Sequence, residues 1–192
     1  MTTIRIDDHS KLELGIDYQD APIDIENGTT AGVWGYKTIA GVIRYSRKDK
    51  LWGHSNDALF GIDTYSDLDA WQTTRTRTYT GTYAGIPLGT KLRHATYGGT
   101  DNYFHIRDNF ELFHNFWLTA AGALDFVQRS TTVTYPTQSS LGTSAVGFTP
   151  RGGFRYVISP HVSVYGNVSR SFQPPRFRGQ RLTVDPCLDL RL

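Results

Sequence analysis

Apolar side chains recur at every second position along much of this chain, and this period of two restricts the possible folds more than any other feature. Between Phe116 and Phe126 the even positions are apolar or small, whereas Thr119 and Asp125 occupy odd positions. Successive side chains of a β-strand point to opposite faces, whereas a helix repeats every 3.6 residues. We therefore predict about eight antiparallel strands, each with one apolar and one polar face. They cover residues 4–6, 11–19, 40–47, 56–65, 102–113, 116–127, 146–158 and 161–171.

The length of the most regular strand indicates a membrane rather than a protein core. Ten steps of roughly 3.3 Å, tilted by about 45°, rise roughly 23 Å, close to the ~25 Å apolar band of a transmembrane barrel. Phe116 and Phe126 stand at the two ends, where such barrels carry aromatic residues. The predicted fold class is all-β, an antiparallel up-and-down transmembrane β-barrel segment of about eight strands from a larger barrel.

The composition agrees with this fold and excludes several others. Hydrophobic residues make up 39% of the 192 residues, and no run approaches the ~20 apolar residues of a transmembrane helix. Half of each barrel strand faces a polar lumen, so a low average hydropathy is expected. The net charge of +2 gives no reason to expect nucleic acid as a partner. Cys187 is the single cysteine, so no disulfide framework is predicted.

The connections between the predicted strands alternate in length. Short turns near Asp8, Lys48, Asn115 and Pro160 take turns with long segments. Barrels of the outer membrane have short turns at one rim and long loops at the other. We therefore expect three long loops, at residues 21–36, 66–100 and 127–144.

A soluble β-sandwich is the alternative that the alternation leaves open, with the even positions facing a protein core. Two residues favour it. Asp108 falls on the apolar face of its strand, and Pro150 removes a hydrogen bond from its ladder. A bulge near the long-loop rim would accommodate Pro150, whereas the pattern offers no account of Asp108.

Two segments near the end of the chain resemble a known family. FTPRGGFRY at residues 148–156 and VSVYGNVSRSFQPPRF at residues 162–177 resemble the barrel of TonB-dependent outer-membrane receptors. The hairpin before them is similar too, with Asp108, Gly122 and Asp125 at the family's positions. The resemblance implies a barrel of about 22 strands, closed by an N-terminal plug. It also implies import of scarce nutrients such as ferric siderophores or cobalamin, energised through TonB in the bacterial outer membrane.

The chain departs from the family pattern at both ends. The plug domain and the N-terminal box that TonB engages are not recognised, and MTTIRIDDHS lacks the features of a signal peptide. We therefore expect an internal fragment, with residues 1–177 a partial receptor barrel and residues 178–192 a tail outside the pattern. TonB would act only through a missing N-terminal region, and the fragment alone is expected to be inert in transport.

No catalytic or metal-binding constellation is found. The six histidines are scattered without paired ligand spacing, and no nucleophile elbow occurs among the serines. We predict that the protein is not an enzyme and that it has no cofactor and no metal site.

The segment 66–100 is the predicted ligand contact. Arginine recognises anions and aromatic rings give rigid contact area, a combination that suits an anionic ferric chelate. Pairing of the same cations with anionic lipopolysaccharide or with neighbouring loops is at least an equal alternative. The candidate residues are Trp71, Arg75, Arg77, Tyr79, Tyr83 and Arg93, with Lys91 and His94 beside them.

The alternation also predicts which side chains face lipid and which face the lumen. The predicted lipid-facing residues are Phe116, Leu118, Leu124, Phe126, Val162 and Val164, and the predicted lumen-facing residues are His105, Arg107, Glu111, Arg151 and Arg155. The partners expected are outer-membrane lipid and a small solute. The function expected is uptake of a scarce nutrient, with a ferric siderophore as the first candidate. A passive porin, an autotransporter-like barrel and a soluble sandwich that binds ligands are the alternatives.

Overall fold

The computed structural model describes residues 1–77, 83, 85–173 and 188–191, the last four by their backbone alone. These residues form one antiparallel sheet in the order β1-β2-β4-β5-β6-β7-β8-β9-β10, with β3 beside β4. The all-β antiparallel prediction is confirmed. The strands are β1 Thr2–Arg5, β2 Ser10–Asp20, β3 Ile23–Asn27, β4 Thr30–Leu51, β5 His54–Thr76, β6 Lys91–Phe113, β7 Phe116–Tyr135, β8 Ser139–Ser159, β9 Val162–Arg170 and β10 Leu188–Arg191.

Strands β2 and β3 act as one interrupted strand. β2 pairs with one half of β4 and β3 with the other half. The interruption falls at Pro22, which has no N–H group to donate to a ladder. The N–H of Ala21 still donates to the carbonyl of Tyr36 at 2.9 Å, so the chain stays close to β4 across the gap. The sheet is therefore a simple up-and-down arrangement.

The turn predicted near Lys48 is displaced to Trp52 and Gly53. Both turn residues have positive φ, 53° and 84°, which a two-residue hairpin of the primed type requires. The charged run 46–50 was wrongly interpreted as the turn, because its residues remain in the ladder, where Lys48 pairs with Asp57. The other short turns, at residues 6–9, 114–115 and 160–161, lie at the same rim of the sheet.

The three long loops expected at 21–36, 66–100 and 127–144 are mostly strand. β5 and β6 have 23 residues each, and β7 and β8 have 20 and 21. Only residues 136–138 separate β7 from β8. The expectation was wrong because apolar alternation stops where both faces meet water, whereas threonine and tyrosine still favour extended backbone. A strand of 23 residues extends roughly 75 Å and, tilted by about 45°, rises ~50 Å, about twice the apolar band of a membrane barrel.

The hydrogen-bonded register places the large apolar side chains on one side of the sheet. Phe116 pairs with Tyr156, and Tyr156 pairs with Val164, so the three share a side, here called the apolar face. The opposite side is called the polar face. The apolar residues of the apolar face form the apolar belt: Leu12, Leu14, Ile16, Tyr18, Ile39, Ile43, Tyr45, Phe60, Ile62, Phe104, Ile106, Phe110, Phe116, Leu118, Leu124, Phe126, Val146, Phe148, Phe154, Tyr156, Val162, Val164 and Val168.

The belt is exposed, which reverses the arrangement of a water-soluble domain. Ile16 is 83% exposed, Phe60 58% and Phe148 54%, and no large side chain of the described residues is fully buried. The buried apolar residues are instead small ones on the polar face: Ala70, Ala95, Ala123 and Val127. A sandwich would enclose the belt against a second sheet, and the described residues form a single one. The sandwich alternative is therefore wrong for this part of the chain.

The belt crosses the strands obliquely, which reveals their tilt. Its upper edge, the edge away from the short turns, is at Tyr18 on β2 and at Val168 on β9. The row of register partners that passes through Val168, followed strand by strand, reaches β2 at Ser10 and not at Tyr18. The belt thus shifts by about eight residues, roughly 26 Å, across roughly six strand spacings, ~29 Å. These lengths correspond to a tilt of about 40°, within the range of membrane barrels.

The two residues that favoured the sandwich have local explanations. The row that contains Asp108 also contains Arg47, and it marks the lower edge of the belt on β4 and β5. Asn56 donates a hydrogen bond to Asp108 Oδ1 at 2.6 Å. At Pro150, the ladder between β8 and β9 ends one residue away, at Arg151 and Ser169. The missing N–H of Pro150 therefore coincides with the end of a ladder.

Candidate functional site

All five predicted lumen-facing residues lie on the polar face. His105 is at its centre and lies directly over Gly61, where a Cβ atom would come within 2.1 Å of His105 Nε2. Tyr103 lies beside the His105 ring, with ring centroids 5.1 Å apart. Arg44 donates to Asp63 at 3.1 Å, and Asp63 Oδ2 is 3.7 Å from His105 Nδ1. The glycine therefore lets an imidazole lie flat against the sheet beside an ion pair.

The end of the polar face near the short turns is a mixed-charge concavity. Arg107 lies 3.9 Å from Asp57, and the guanidinium of Arg155 lies over the Trp117 ring at 5.9 Å. Glu111 accepts hydrogen bonds from the N–H groups of Ser55 and Asn115, both at 3.4 Å. A cavity of about 800 Å³ lies here, lined by His9 and by residues of strands β4 to β8. Its charged walls suit contact with water or with another polar surface.

The opposite end of the polar face carries a cluster that sequence reasoning missed. Arg129 donates to both carboxylate oxygens of Asp101 at 2.5 Å. Tyr65 donates to Asp67 at 3.1 Å and also contacts the hydroxyl of Tyr36. We call Tyr36, Tyr65, Asp67, Asp101 and Arg129 the Arg129 cluster.

Gly99 makes this cluster possible. A Cβ atom at this position would lie 2.7 Å from Asp67 Oδ2 and 3.0 Å from Arg129 Nη1. Arg129 can therefore cross the strand at Gly99 between two carboxylates. The alternation could have indicated this cluster, because Asp101 and Arg129 both have odd numbers and therefore lie on the polar face of their strands.

The structure does not bring the predicted ligand-binding residues together. Trp71 lies on the apolar-face side, above the belt, and covers Gly35, where a Cβ atom would lie 2.3 Å from Trp71 Nε1. Arg75 is on the same side and donates to the carbonyl of Gly89 at 3.1 Å. Arg77 forms an ion pair with Glu26 at 2.6 Å.

Arg93 occupies the other side of the sheet. Its register partner is Thr74, and it lies on the polar-face side together with Tyr97. Tyr97 donates a hydrogen bond to Gln72 at 2.9 Å. Tyr83 belongs to the connection between β5 and β6, where its carbonyl accepts from the N–H of Ile86, and Tyr79 lies outside the described residues.

Lys91 and His94 complete the segment. Lys91 lies over the Tyr135 ring at 6.0 Å, and His94 Nδ1 contacts Thr73 Oγ1 at 2.7 Å on the apolar-face side. Among the candidate basic residues of segment 66–100, Arg93 lies on the polar-face side, farther from the short turns than the Arg129 cluster. It forms no ion pair within the described residues. In the part of the chain that the structure describes, no group of acidic, histidine or cysteine side chains is arranged to hold a metal ion.

The fold and the two faces together define a class. A single sheet of long tilted strands, with an exposed apolar belt and a polar opposite face, is the wall of an outer-membrane β-barrel. A search by family model matches residues 3–185 to "TonB dependent receptor-like, beta-barrel". The chain belongs to this family of non-enzymatic transporters, whose barrels reside in the bacterial outer membrane. The family resemblance stated from the sequence is confirmed. Among the residues that the structure describes, no helix is long and apolar enough to cross a membrane.

Solved structures of receptors share the fold. The ferric citrate transporter FecA in its unliganded form superposes with a TM-score of 0.76 at 14% identity, covering 88% of this chain and 26% of that one. The ferric yersiniabactin uptake receptor FyuA from Yersinia pestis superposes with a TM-score of 0.66 at 12% identity, covering 94% of this chain and 29% of that one. The siderophore receptor PiuA from Acinetobacter baumannii superposes with a TM-score of 0.68 at 12% identity, covering 90% of this chain and 31% of that one. The chain thus spans about a quarter to a third of these receptors' length. No curated protein matches it by sequence search.

Proposed function

We propose that this chain forms part of the wall of a receptor that takes up a scarce solute across the outer membrane, energised through TonB. The solute class that we propose is an anionic ferric chelate. The observation that carries the proposal is the polar face above the belt, where Arg93 and the Arg129 cluster line the same side of a family barrel. The structures of ferric-chelate receptors that share this fold support the choice of solute class.

Within this surface, Arg93 is the proposed anion contact. Arg129 is bound by Asp101 on both of its terminal nitrogens and has Asp67 nearby, so its charge is already compensated. Arg93 has no such partner among the described residues. Tyr97 and Tyr65 lie on the same side and supply the aromatic surface that rigid chelates contact.

Uptake by a strain that depends on this receptor tests the function. The strain carries the intact gene as its single iron-uptake receptor and is supplied with labelled ferric chelates of different charge. We expect saturable uptake of an anionic chelate that stops when a protonophore collapses the inner-membrane gradient. Uptake that continues without the gradient would show a passive porin. Absence of uptake for every chelate, with normal folding, would exclude iron import.

A matched pair of variants tests the assignment of Arg93. We expect Arg93→Gln to raise the concentration for half-maximal uptake by about tenfold or more, since a hydrogen bond to a charged group contributes about 1.5–3 kcal/mol to binding. Arg75→Gln removes the same charge from the opposite side of the neighbouring strand. Its uptake should equal that of the wild type. Equal losses in both variants would show that Arg93 acts only through the general charge of the rim.

A further inference from the structure

Large apolar side chains reappear on the polar-face side, beyond the upper edge of the belt. Trp34 pairs with Ile23 on one side and with Gln72 on the other. Gln72 pairs with Ala95, which belongs to the polar face, so the whole row lies on that side. Ile25 follows two residues along β3 and therefore points the same way. We call Ile23, Ile25 and Trp34 the Trp34 patch.

The Trp34 patch is exposed, and lipid does not account for its exposure. Ile23 is 48% exposed, Ile25 42% and Trp34 39%. Trp34 lies five residues beyond Ile39, the highest belt residue of β4, a rise of roughly 13 Å at a tilt of about 40°. The three side chains also lie on the face opposite to the belt. A contiguous apolar patch on a surface that meets water marks a contact site.

The Trp34 patch is continuous with the proposed anion contact. Ile25 and Arg93 belong to one row of register partners, and Gly32 and Thr74 lie between them in that row. A Cβ atom at Gly32 would lie 3.5 Å from Trp34 Nε1, so the indole reaches toward this row over a residue without a side chain. The backbones of Gly32 and Arg93 are two strand spacings apart, about 10 Å. One small ligand can therefore contact both.

Hydrogen-bonded side chains form the floor between the Trp34 patch and Arg93. Tyr97 donates to Gln72 Oε1 at 2.9 Å, and Gln72 Nε2 donates to Thr74 Oγ1 at 3.4 Å. All three side chains point to the polar-face side. Because they bond to one another, the floor is ordered before a ligand arrives, and binding loses less conformational entropy.

We propose that the Trp34 patch binds an apolar arm of the solute while Arg93 binds its anionic group. The preferred ligand is then an amphipathic ferric chelate that carries a short aliphatic or aromatic group about 10 Å from its negative charge. The indole and the two branched side chains supply rigid contact area for such a group. A compact hydrophilic chelate would leave the patch in water. This inference rests on the proposed function, since it narrows the solute class for the same surface.

Uptake of a matched series of chelates tests the arm. Three synthetic anionic ferric hydroxamates share their iron-binding groups and charge, and carry an acetyl, a hexanoyl or a benzoyl amide at the free end. The strain has the intact gene as its single iron-uptake receptor. We expect half-maximal uptake of the hexanoyl and benzoyl chelates at about tenfold lower concentration than that of the acetyl chelate. Tenfold corresponds to about 1.4 kcal/mol, the contribution of roughly two buried CH₂ groups.

Variants on the two sides of the sheet locate the arm. Trp34→Ser and Ile25→Thr should each reduce the preference for the apolar arms to about twofold, because both remove apolar contact area. Val33→Thr is the matched control, since Val33 is 38% exposed but lies on the apolar-face side, where it pairs with Thr73. Its preference should equal that of the wild type. Heat-modifiable gel mobility shows in each strain whether the receptor is folded.

A photoreactive chelate tests the wild type directly and does not depend on the folding of a variant. Its benzoyl arm carries a diazirine on the ring, and the crosslinked peptides are identified by mass spectrometry. We expect crosslinks within residues 23–34. Crosslinks confined to other segments would show that another surface receives the arm.

The possible failures are distinguishable. Uptake of none of the three chelates by a folded receptor would overturn the proposed solute class, and the arm with it. Equal half-maximal concentrations for the three would overturn the arm alone, as would a preference that Trp34→Ser and Ile25→Thr leave unchanged. Lower stability of both variants in urea, with the preference unchanged, would show that another segment of the receptor covers the Trp34 patch.

Discussion

Introducing glutamate at two adjacent positions of β7 should have opposite effects on stability. Ala120 is on the apolar face, where its register partners are Asp108 and Gly152. Ala121 is on the polar face, between Arg107 and Arg151. Both positions lie between Phe116 and Phe126, near the middle of the belt. The same side chain therefore lies on the apolar face opposite a carboxylate in one variant, and on the polar face between two cations in the other.

The magnitudes follow from these neighbours. A carboxylate on the lipid face near the bilayer midplane costs about 2 kcal/mol, and a like charge directly opposite adds about 0.5 kcal/mol. In Ala121→Glu, two opposite-charge cross-strand pairs contribute about 0.5–1 kcal/mol together, because Arg107 is substantially exposed. We expect the variants to differ by about 3 kcal/mol in the free energy of unfolding, more than a hundredfold in the equilibrium constant.

Urea unfolding of the intact protein in liposomes measures this difference, with tryptophan fluorescence and heat-modifiable mobility as signals. Ala120→Glu should unfold at lower urea than the wild type, and Ala121→Glu at equal or higher urea. Equal destabilisation of both variants would refute the opposition of the two faces. A larger loss in Ala121→Glu would mean that the face we assign to the lumen meets lipid.

Two further perturbations concern the polar face. In a double-mutant cycle of Asp101→Asn and Arg129→Met, we expect a coupling free energy of about 1 kcal/mol in urea unfolding. The ion pair is bidentate, but its side chains are a quarter to a third exposed. A coupling near zero would show that the Arg129 cluster is not formed. Gly61→Val should lower the free energy of unfolding by about 1–3 kcal/mol, because the new side chain displaces His105. Gly142→Val should have little effect, because a Cβ atom there meets only a carbonyl oxygen at 3.8 Å. Equal effects of the two variants in urea unfolding would argue against the His105 contact.

The parts of the fold that could be predicted from the sequence are those that carry the apolar belt. Between Phe116 and Phe126 one face must be apolar and the other polar, so the alternation records both the strand and its register. Above the belt both faces meet water, and Thr96 or Thr132 carries no information about its side. The strand ends were therefore predicted too early, and their extensions were interpreted as loops. The division of the chain at residue 177 stays a prediction.

The candidate site shows the same limit. Arg75 and Arg93 look equivalent in sequence, as basic residues near aromatic ones, yet they lie on opposite sides of the sheet. The irregularity of the register near Ser66 decides these sides, because it moves Arg75 to the apolar-face side while Arg93 stays on the polar-face side. Short-range patterns contain no sign of such a bulge, since it inserts one residue without changing composition. The lipid-facing and lumen-facing assignments remain predictions, although the sheet separates the two sets onto opposite faces.

The height of the strands above the belt has a kinetic consequence. In the receptor that we propose, strands of this height would extend a hydrogen-bonded wall roughly 25 Å beyond the apolar band, around a vestibule through which the solute diffuses before it reaches bilayer depth. Arg93, high on this wall, would then meet the solute early and affect how often an encounter becomes a capture. Residues at the level of His105 would meet it late and affect how long it stays. Substitutions at the two heights should therefore separate into changes of association rate and changes of residence time.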